Sequence, residues 1–192
     1  HVVRTWNGTS MSLYIDGVLD FSADTTGTSL VNGSHPVNLG LEPHYDDYFD
    51  GSLDEFRFYD RPLSDSEVSS LHSYESSDRF VNGLVAHYPF NGNANDESFY
   101  SNHAQVNGAK LSTDRFGSLN QTYKFDGVDD SIQITDVIPN GGFTLNFWFK
   151  PTEDNWSGVL LDATKNPIYF YVEASNNDIK WFFESSNDAD VQ

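Results

Sequence analysis

The sequence contains no cysteine, which excludes disulfide bonds and thiolate metal sites from its 192 residues. Basic residues are also scarce, because 10 Lys and Arg stand against 29 Asp and Glu, for a formal net charge of −19. A surface of this sign repels phosphate backbones and anionic lipids, so we expect neither nucleic acid binding nor membrane insertion. No apolar run reaches the roughly 18 residues needed to cross a bilayer.

Strand-forming residues are abundant by contrast. Aromatic residues make up 15% of the chain, and apolar and polar residues alternate in short segments between Gly, Asn, Asp and Ser turns. The clearest alternation runs from Phe143 to Lys150. A single short helix is expected near residues 65–72, where Ser64 and Glu67 have the spacing of a capping box. The sequence therefore predicts an all-β fold, a two-sheet antiparallel jelly-roll sandwich with one short helix.

Six segments of the sequence carry a family resemblance. They are HVVRTW at 1–6, LYIDG at 13–17, the pattern F-x-G-x-L-D-E-F-R-F-Y-x-R-x-L-S-x-x-E-V at 49–68, GLVAHYPFNGN at 83–93 with Asp96, Ser98, Asn102 and His103, FDGVDDSI at 125–132, and FTLNFWFKP at 143–151. These segments resemble the motifs of laminin G-like, concanavalin A-like jelly-roll modules, a superfamily of lectins and glucanases. The resemblance covers nearly the whole chain and implies that the predicted sandwich is concanavalin A-like.

The order of the motifs is rotated relative to that family. Residues 1–75 resemble the C-terminal half of a module, residues 76–82 form a linker, and residues 83–192 resemble an N-terminal half. Together the two parts hold one module's worth of strands. Three arrangements remain open: the halves close on each other within one chain, each half completes a half-module of a neighbouring repeat or subunit, or the sequence is an accidental fragment.

A calcium site is the first functional hypothesis. Residues 91–98 are dense in short oxygen-bearing side chains, which suit a Ca²⁺ ion that takes six to eight oxygen ligands. A period of two places Asp54 on the face of Phe56 and Phe58, where a buried carboxylate needs compensation. The resemblance implies that this strand and the loop after residue 90 meet. The metal-binding residues expected on this basis are Asp96, Ser98, Asp54, Asn93 and His103, the last through the backbone carbonyls of the Asn102–His103 turn.

A metal-free alternative explains the same loop. Asn and Asp side chains hydrogen-bond the backbone two residues further on, so a segment rich in them forms tight turns without any ion. Both interpretations therefore stay open.

A carbohydrate-binding surface is the second functional hypothesis. An exposed aromatic ring beside carboxylates can stack on a pyranose while the carboxylates accept hydrogen bonds from its hydroxyl groups. Trp156 fits this description best because polar residues surround it and predict a loop. The ligand-binding residues expected on this basis are Trp156, Asp154, His44, Tyr45 and Tyr48. Packing of each ring in the core is the alternative.

Catalysis has little support in the sequence. Retaining glycosidases need two carboxylates about 5 Å apart. Asp54 and Glu55 are adjacent, so a regular strand points them to opposite faces. The chain also has no Gly-x-Ser-x-Gly, phosphate-loop or His-Glu-x-x-His motif. We therefore expect a protein that is not an enzyme.

The resemblance implies a function for such a module. It is calcium-supported binding of a carbohydrate or glycoprotein within a bacterial surface or adhesive protein, outside the cell or at its surface. The alternative is a structural repeat or subunit of an extracellular filament or stalk. In that case copies of the chain, or neighbouring tandem repeats, assemble head-to-tail by complementing half-modules.

Overall fold

The computed structural model describes residues 1–26, 37–42, 47–73, 81–135, 141–152, 156–162, 169–175 and 178–182; for residue 42 and the last three ranges it describes the backbone alone. Within these ranges the chain forms one helix, α1 (Asp65–Ser73), and sixteen strands. The strands are β1 (Val2–Trp6), β2 (Ser10–Ile15), β3 (Val18–Asp24), β4 (Val37–Leu39), β5 (Leu41–Glu42), β6 (Asp47–Tyr48), β7 (Asp50–Tyr59), β8 (Leu84–Tyr88), β9 (Gln105–Asn107), β10 (Lys110–Ser112), β11 (Thr122–Asp126), β12 (Ser131–Ile134), β13 (Phe143–Pro151), β14 (Trp156–Asp162), β15 (Tyr169–Ser175) and β16 (Asp178–Phe182).

The strands form two main antiparallel sheets. The larger sheet has the order β10-β11-β7-β13-β1-β2-β3, and β8 also pairs with β7. The smaller sheet has the order β16-β15-β14-β4-β12-β9, while β5 and β6 form a separate ribbon. This architecture confirms the predicted fold class. No helix of the described residues is long and apolar enough to span a membrane.

The main core lies between the two sheets. Phe58, Phe143 and Leu145 from the larger sheet and Leu39 and Ile132 from the smaller one are almost completely buried there. We call the side of the larger sheet that meets this core its inner face and the opposite side its outer face. Burial of each such side chain contributes about 1.5–3 kcal/mol, so this interface is the chief source of stability.

The helix covers part of the outer face. The Ser64 N–H donates to the Glu67 carboxylate at 2.8 Å and the Glu67 N–H donates to the Ser64 hydroxyl at 3.4 Å, which confirms the capping box. The hydrogen bond from Arg61 lowers the pKa of Glu67 to about 2. A second apolar cluster, comprising Val3, Tyr14, Tyr59, Leu63, Val68 and Leu71, joins α1 to the sheet.

Both sheets contain strands from both parts of the chain. β13 lies between β1 and β7, and β4 lies between β12 and β14. These pairings form within one chain, so the described strands of residues 1–73 and 81–182 share one core. Residues 76–80, most of the expected linker at 76–82, lie outside the described residues.

An irregularity in β7 overturns two expectations about Asp54 and Glu55. Glu55 adopts a φ of 54°, and the pairing of β7 with β13 shifts at this point. The extra residue changes the alternation, so Leu53 and Phe56 both enter the main core although they are three residues apart. Asp54 therefore does not share a face with Phe56, and the carboxylates of Asp54 and Glu55 both contact groups of the outer face. The predictions of a core-facing Asp54 and of opposite faces were wrong.

Candidate functional site

The loop between β8 and β9 is organised by a single buried carboxylate. Asp96 is 4% exposed, and its Oδ1 accepts hydrogen bonds from the N–H groups of His87 at 2.9 Å and Ser98 at 2.8 Å. Its Oδ2 accepts hydrogen bonds from the Ser98 hydroxyl at 2.8 Å and the Asn102 N–H at 2.9 Å. One side chain thus connects strand β8 to Ser98 and Asn102, the two ends of the segment 98–102.

Further hydrogen bonds hold the same segment. The Tyr88 hydroxyl donates to the Asn102 carbonyl at 2.5 Å, and the Ala104 N–H donates to the Ala94 carbonyl at 3.0 Å. Burial of the Tyr88 ring raises the pKa of its hydroxyl, which stays a donor at neutral pH. Because these contacts cross the loop at several points, its tip is held in one conformation.

The tip of this loop presents two aromatic side chains to solvent. Phe99 is 98% exposed and Tyr100 is 58% exposed, with ring centroids 6.4 Å apart at 88°. Sequence reasoning missed this pair. The signal was present, because Phe99 and Tyr100 lie between Ser98 and Ser101 in a segment without strand alternation, the same criterion that selected Trp156.

Four of the expected metal-binding residues lie in this loop. Ser98 contacts Asp96 directly, and the His103 Nδ1 accepts a hydrogen bond from the Asp96 N–H at 3.2 Å. Asn93 is exposed and accepts a hydrogen bond from the Asn95 N–H at 2.7 Å, as an Asx turn does. Because both Asp96 oxygens already accept two hydrogen bonds from the protein, this geometry favours the metal-free alternative. Calcium stays a prediction.

The fifth expected ligand, Asp54, is compensated by a cation on the outer face. Arg115 donates to its Oδ2 at 2.5 Å and also stacks over the Trp148 ring at 4.4 Å. Glu55 beside it accepts hydrogen bonds from Arg57 at 2.6 Å and from His87 at 3.0 Å. Burial alone would raise the pKa of Glu55, but the contacts with His87 and Arg57 lower it below its usual range. Each carboxylate therefore contacts a basic side chain of the outer face.

Asp54 should make stability depend on pH. Its burial raises its pKa to about 7, and the charges of Glu55 and Asp114 add to this effect while Arg115 opposes it. The unfolded pKa is about 3.9, so the stabilising contribution of Asp54 is complete below that value and is lost as the pH rises through about 7.

We predict that Asp54→Asn loses less stability than the wild type as the pH rises from about 5 to about 8. Up to the folded pKa of Asp54, the difference between the two losses of unfolding free energy grows by about 1.4 kcal/mol per pH unit, because only the wild type releases this proton. Urea denaturation at the two pH values measures the difference. Asp20→Asn, an exposed replacement of the same kind, serves as the control. Equal losses in wild type and Asp54→Asn would contradict the prediction.

A different group of carboxylates has the arrangement of a cation site. One oxygen from each of Asp126, Asp129 and Asp130 lies within 4.8 Å of the others. Asp130 is buried and accepts a hydrogen bond from the Asp126 N–H at 3.0 Å. Burial raises the pKa of Asp130, and the charges of Asp126 and Asp129 raise it further. The sequence analysis used these residues only as part of the motif FDGVDDSI at 125–132 and did not consider them as metal ligands.

Among the five expected sugar-binding residues, the structure describes Tyr48 and the backbone of Trp156. Tyr48 is half-buried in β6, where it pairs with Leu41. Trp156 begins β14 and pairs with Ala174, so the expectation that it lies in a loop was wrong. Tryptophan favours strands, and this preference outweighs its polar neighbours. The Trp156 side chain and the residues His44, Tyr45 and Asp154 lie outside what the structure describes.

Comparison with known proteins agrees with this fold. Residues 1–69 match the family model Laminin_G_3, described as the concanavalin A-like lectin/glucanases superfamily. The chain is similar to that superfamily over these residues. No curated protein and no solved structure matches the chain. The match extends from β1 into α1, and the resemblance of residues 83–192 stays a prediction.

Proposed function

We propose that the chain is a non-enzymatic module that binds a carbohydrate or glycoprotein through Phe99 and Tyr100. The observation that carries this proposal is the pair of exposed aromatic rings on a loop fixed by Asp96. The similarity of residues 1–69 to a superfamily that includes lectins supports the same class of ligand.

Aromatic rings in this position suit a sugar for a physical reason. The apolar C–H face of a pyranose can pack on a ring, as other apolar groups do, while its hydroxyl groups need hydrogen-bond partners nearby. The loop supplies such groups in the exposed residues Asn91, Asn93 and Glu97. Because the loop is already ordered, binding avoids most of the entropy cost of fixing it, about 0.5–1.5 kcal/mol for each immobilised side chain.

The finer parts of the proposal rest on the resemblance. They are a location outside a bacterial cell or at its surface within an adhesive protein, a contribution from Ca²⁺, and the rotated order of the two halves. The pairing of β13 with both β1 and β7 supports closure of the halves within one chain.

Alanine substitutions at the loop tip test the proposed function. We expect Phe99→Ala and Tyr100→Ala each to weaken glycan binding by up to about tenfold, since a stacking aromatic contributes about 0.5–1.5 kcal/mol. The thermal midpoint should not change, because neither ring is in the core. A glycan array followed by calorimetry measures the binding.

Two further variants make this test specific. Phe116→Ala removes another exposed aromatic ring from a different loop and should leave binding intact. Trp156→Ala tests the sequence-predicted platform. Binding that survives Phe99→Ala and Tyr100→Ala but is lost in Trp156→Ala would place the site at Trp156, and an array without any bound glycan would refute the proposed function.

A structural role in a filament or stalk is the second candidate function. The observation that favours it is the exposure of the edge strand β3, which carries Val18 and Phe21 on its surface.

A further inference from the structure

The loop that carries Phe99 and Tyr100 is acidic and lacks basic residues. Residues 88–102 contain Asp96 and Glu97 but no Lys, Arg or His. Within the described part of the chain, no ion pair involves either of these carboxylates. The loop therefore presents its two aromatic rings in a negatively charged setting.

The buried charge of Asp96 acts on its surroundings. Its four hydrogen-bond donors are N–H and hydroxyl groups without charge, which stabilise the carboxylate but do not cancel its charge. The basic residue closest to it in the sequence, His103, accepts a hydrogen bond from the Asp96 N–H through its Nδ1, so this nitrogen carries no proton. Burial raises the pKa of the Tyr88 hydroxyl, and the charge of Asp96 raises it further. A potential of this sign attracts cations and repels anions.

Glu97 adds an exposed carboxylate on the side of the loop where the rings lie. Burial alternates along this segment, since Asp96 and Ser98 are buried while Glu97 and Phe99 are exposed. Residues two apart in a chain are separated by at most about 7 Å, so the Glu97 carboxylate can reach a ligand that packs on Phe99. Asn91 donates a hydrogen bond to the Glu97 Oε1 at 2.9 Å, which holds this carboxylate in place.

We propose that the ligand of this loop is a glycan with a protonated amine, an oligosaccharide of amino sugars that are not N-acetylated, and that Glu97 selects it. This inference rests on the proposed carbohydrate binding through Phe99 and Tyr100 and names the class of sugar. The ammonium group lies beside the Glu97 carboxylate and against a ring face, because the quadrupole of an aromatic ring attracts cations there. The apolar C–H face of the same sugar packs on a ring.

The same charges exclude the opposite class of glycan. Specificity depends on repulsion of the wrong ligand as well as on attraction of the right one. A uronic acid, a sialic acid or a sulfated sugar would place its anion next to Glu97, in a loop without a basic side chain to receive it. The net charge of −19 adds repulsion at low ionic strength. We therefore expect neutral sugars to bind with intermediate affinity and anionic sugars to bind most weakly.

A glycan array with amine-bearing, N-acetylated, neutral and anionic oligosaccharides tests the inference. At mildly acidic pH, where alkyl amines are protonated, the amine-bearing glycans should bind the wild type most tightly. Chemical N-acetylation of a bound glycan should weaken its binding by about threefold to thirtyfold, the effect of one exposed ion pair together with one exposed cation–π contact. Added salt should reduce this difference, because it screens exposed charges.

Substitutions of Glu97 separate its charge from its hydrogen bonds. Glu97→Gln keeps the size of the side chain and an acceptor, so it should weaken binding of amine-bearing glycans by about twofold to fivefold and leave binding of N-acetylated glycans unchanged. Glu97→Lys should weaken the amine-bearing glycans further. Asp20→Asn, which removes an exposed carboxylate from β3 and changes the net charge as Glu97→Gln does, is the control and should bind like the wild type.

The outcomes distinguish this inference from the function on which it rests. An array that retains no glycan, or binding that survives the double variant Phe99→Ala/Tyr100→Ala, would overturn the proposed function and this inference with it. Binding that needs both rings but is no stronger for amine-bearing glycans than for neutral or anionic ones would overturn the inference alone. An affinity for amine-bearing glycans that Glu97→Gln leaves unchanged would do the same.

Discussion

Replacing Asp96 with alanine is expected to destabilise the protein by about 3 kcal/mol and to abolish binding at the loop tip. The substitution leaves four donors without their acceptor, and the His87 N–H among them is on a buried strand residue. Each buried donor left unpaired costs about 1–3 kcal/mol, although rearrangement of the loop exposes some of them to water. Chemical denaturation measures the loss, and Asn95→Ala, an exposed neighbour, is the control.

The reason for the lost binding is loss of order at Phe99 and Tyr100. Without Asp96 the segment 98–102 keeps no carboxylate link to β8, so the two rings would have to be ordered by the ligand. We therefore expect Asp96→Ala to lose as much affinity as the double variant Phe99→Ala/Tyr100→Ala. Full affinity in Asp96→Ala would show that the loop does not need this carboxylate.

Two conservative variants, Asp96→Asn and Asp130→Asn, decide the question of calcium. An ion that binds the folded state raises the thermal midpoint by mass action. If Ca²⁺ raises the midpoint of the wild type but not of Asp96→Asn, the Asp96 loop holds the ion. If the rise persists in Asp96→Asn and disappears in Asp130→Asn, the ion binds at Asp126, Asp129 and Asp130. A midpoint that a chelator leaves unchanged would refute the calcium hypothesis.

Local sequence signals predicted much of this fold. The alternation in β13 assigned Phe143, Leu145 and Phe147 to one buried face, and the capping box located α1. The Asp16-Gly17 turn between β2 and β3 is also a local feature, in which both residues have the positive φ of a tight hairpin turn, 48° and 78°. These features depend on neighbouring residues, so the sequence contains the information that specifies them.

The faces of Asp54 and Glu55 could not be predicted in the same way. The alternation rule assumes a regular strand, and a glutamate seldom adopts a positive φ. The irregularity depends on strands that are distant in sequence, because β7 pairs with β11 along one half of its length and with β8 along the other. The loop tip was missed for a different reason. The position of Phe99 and Tyr100 between Ser98 and Ser101 was a visible signal, but the hydrogen bonds by which Asp96 orders the loop join residues that the motif alone does not pair.

Glu55 offers the second large effect, because its carboxylate compensates the buried Arg57 guanidinium and accepts a hydrogen bond from His87. Arg57 and His87 are only 6% and 5% exposed, and both donate to the Glu55 Oε2. Removal of one partner from a buried ion pair costs about 3–5 kcal/mol, since the other charge is left uncompensated. We predict a loss of this size for Glu55→Ala, measured by urea denaturation at neutral pH, with the exposed Glu97→Ala as the control.

Three substitutions of Glu55 distinguish this ionic effect from the strain of its backbone conformation. At a φ of 54° a residue with a Cβ is less favourable than glycine by about 1 kcal/mol. Glu55→Gly should therefore be more stable than Glu55→Ala, although both lack the carboxylate. Glu55→Gln should be the least destabilised of the three because it keeps an acceptor.

The ionic effect of Glu55 should depend on pH. Because the folded state lowers the pKa of Glu55, its contribution to stability is present above the unfolded pKa of about 4.3 and is lost as the pH falls through the folded pKa. The penalty of Glu55→Gln should accordingly shrink in acid, and a penalty that is the same at neutral and acidic pH would show that Glu55 acts through packing rather than charge.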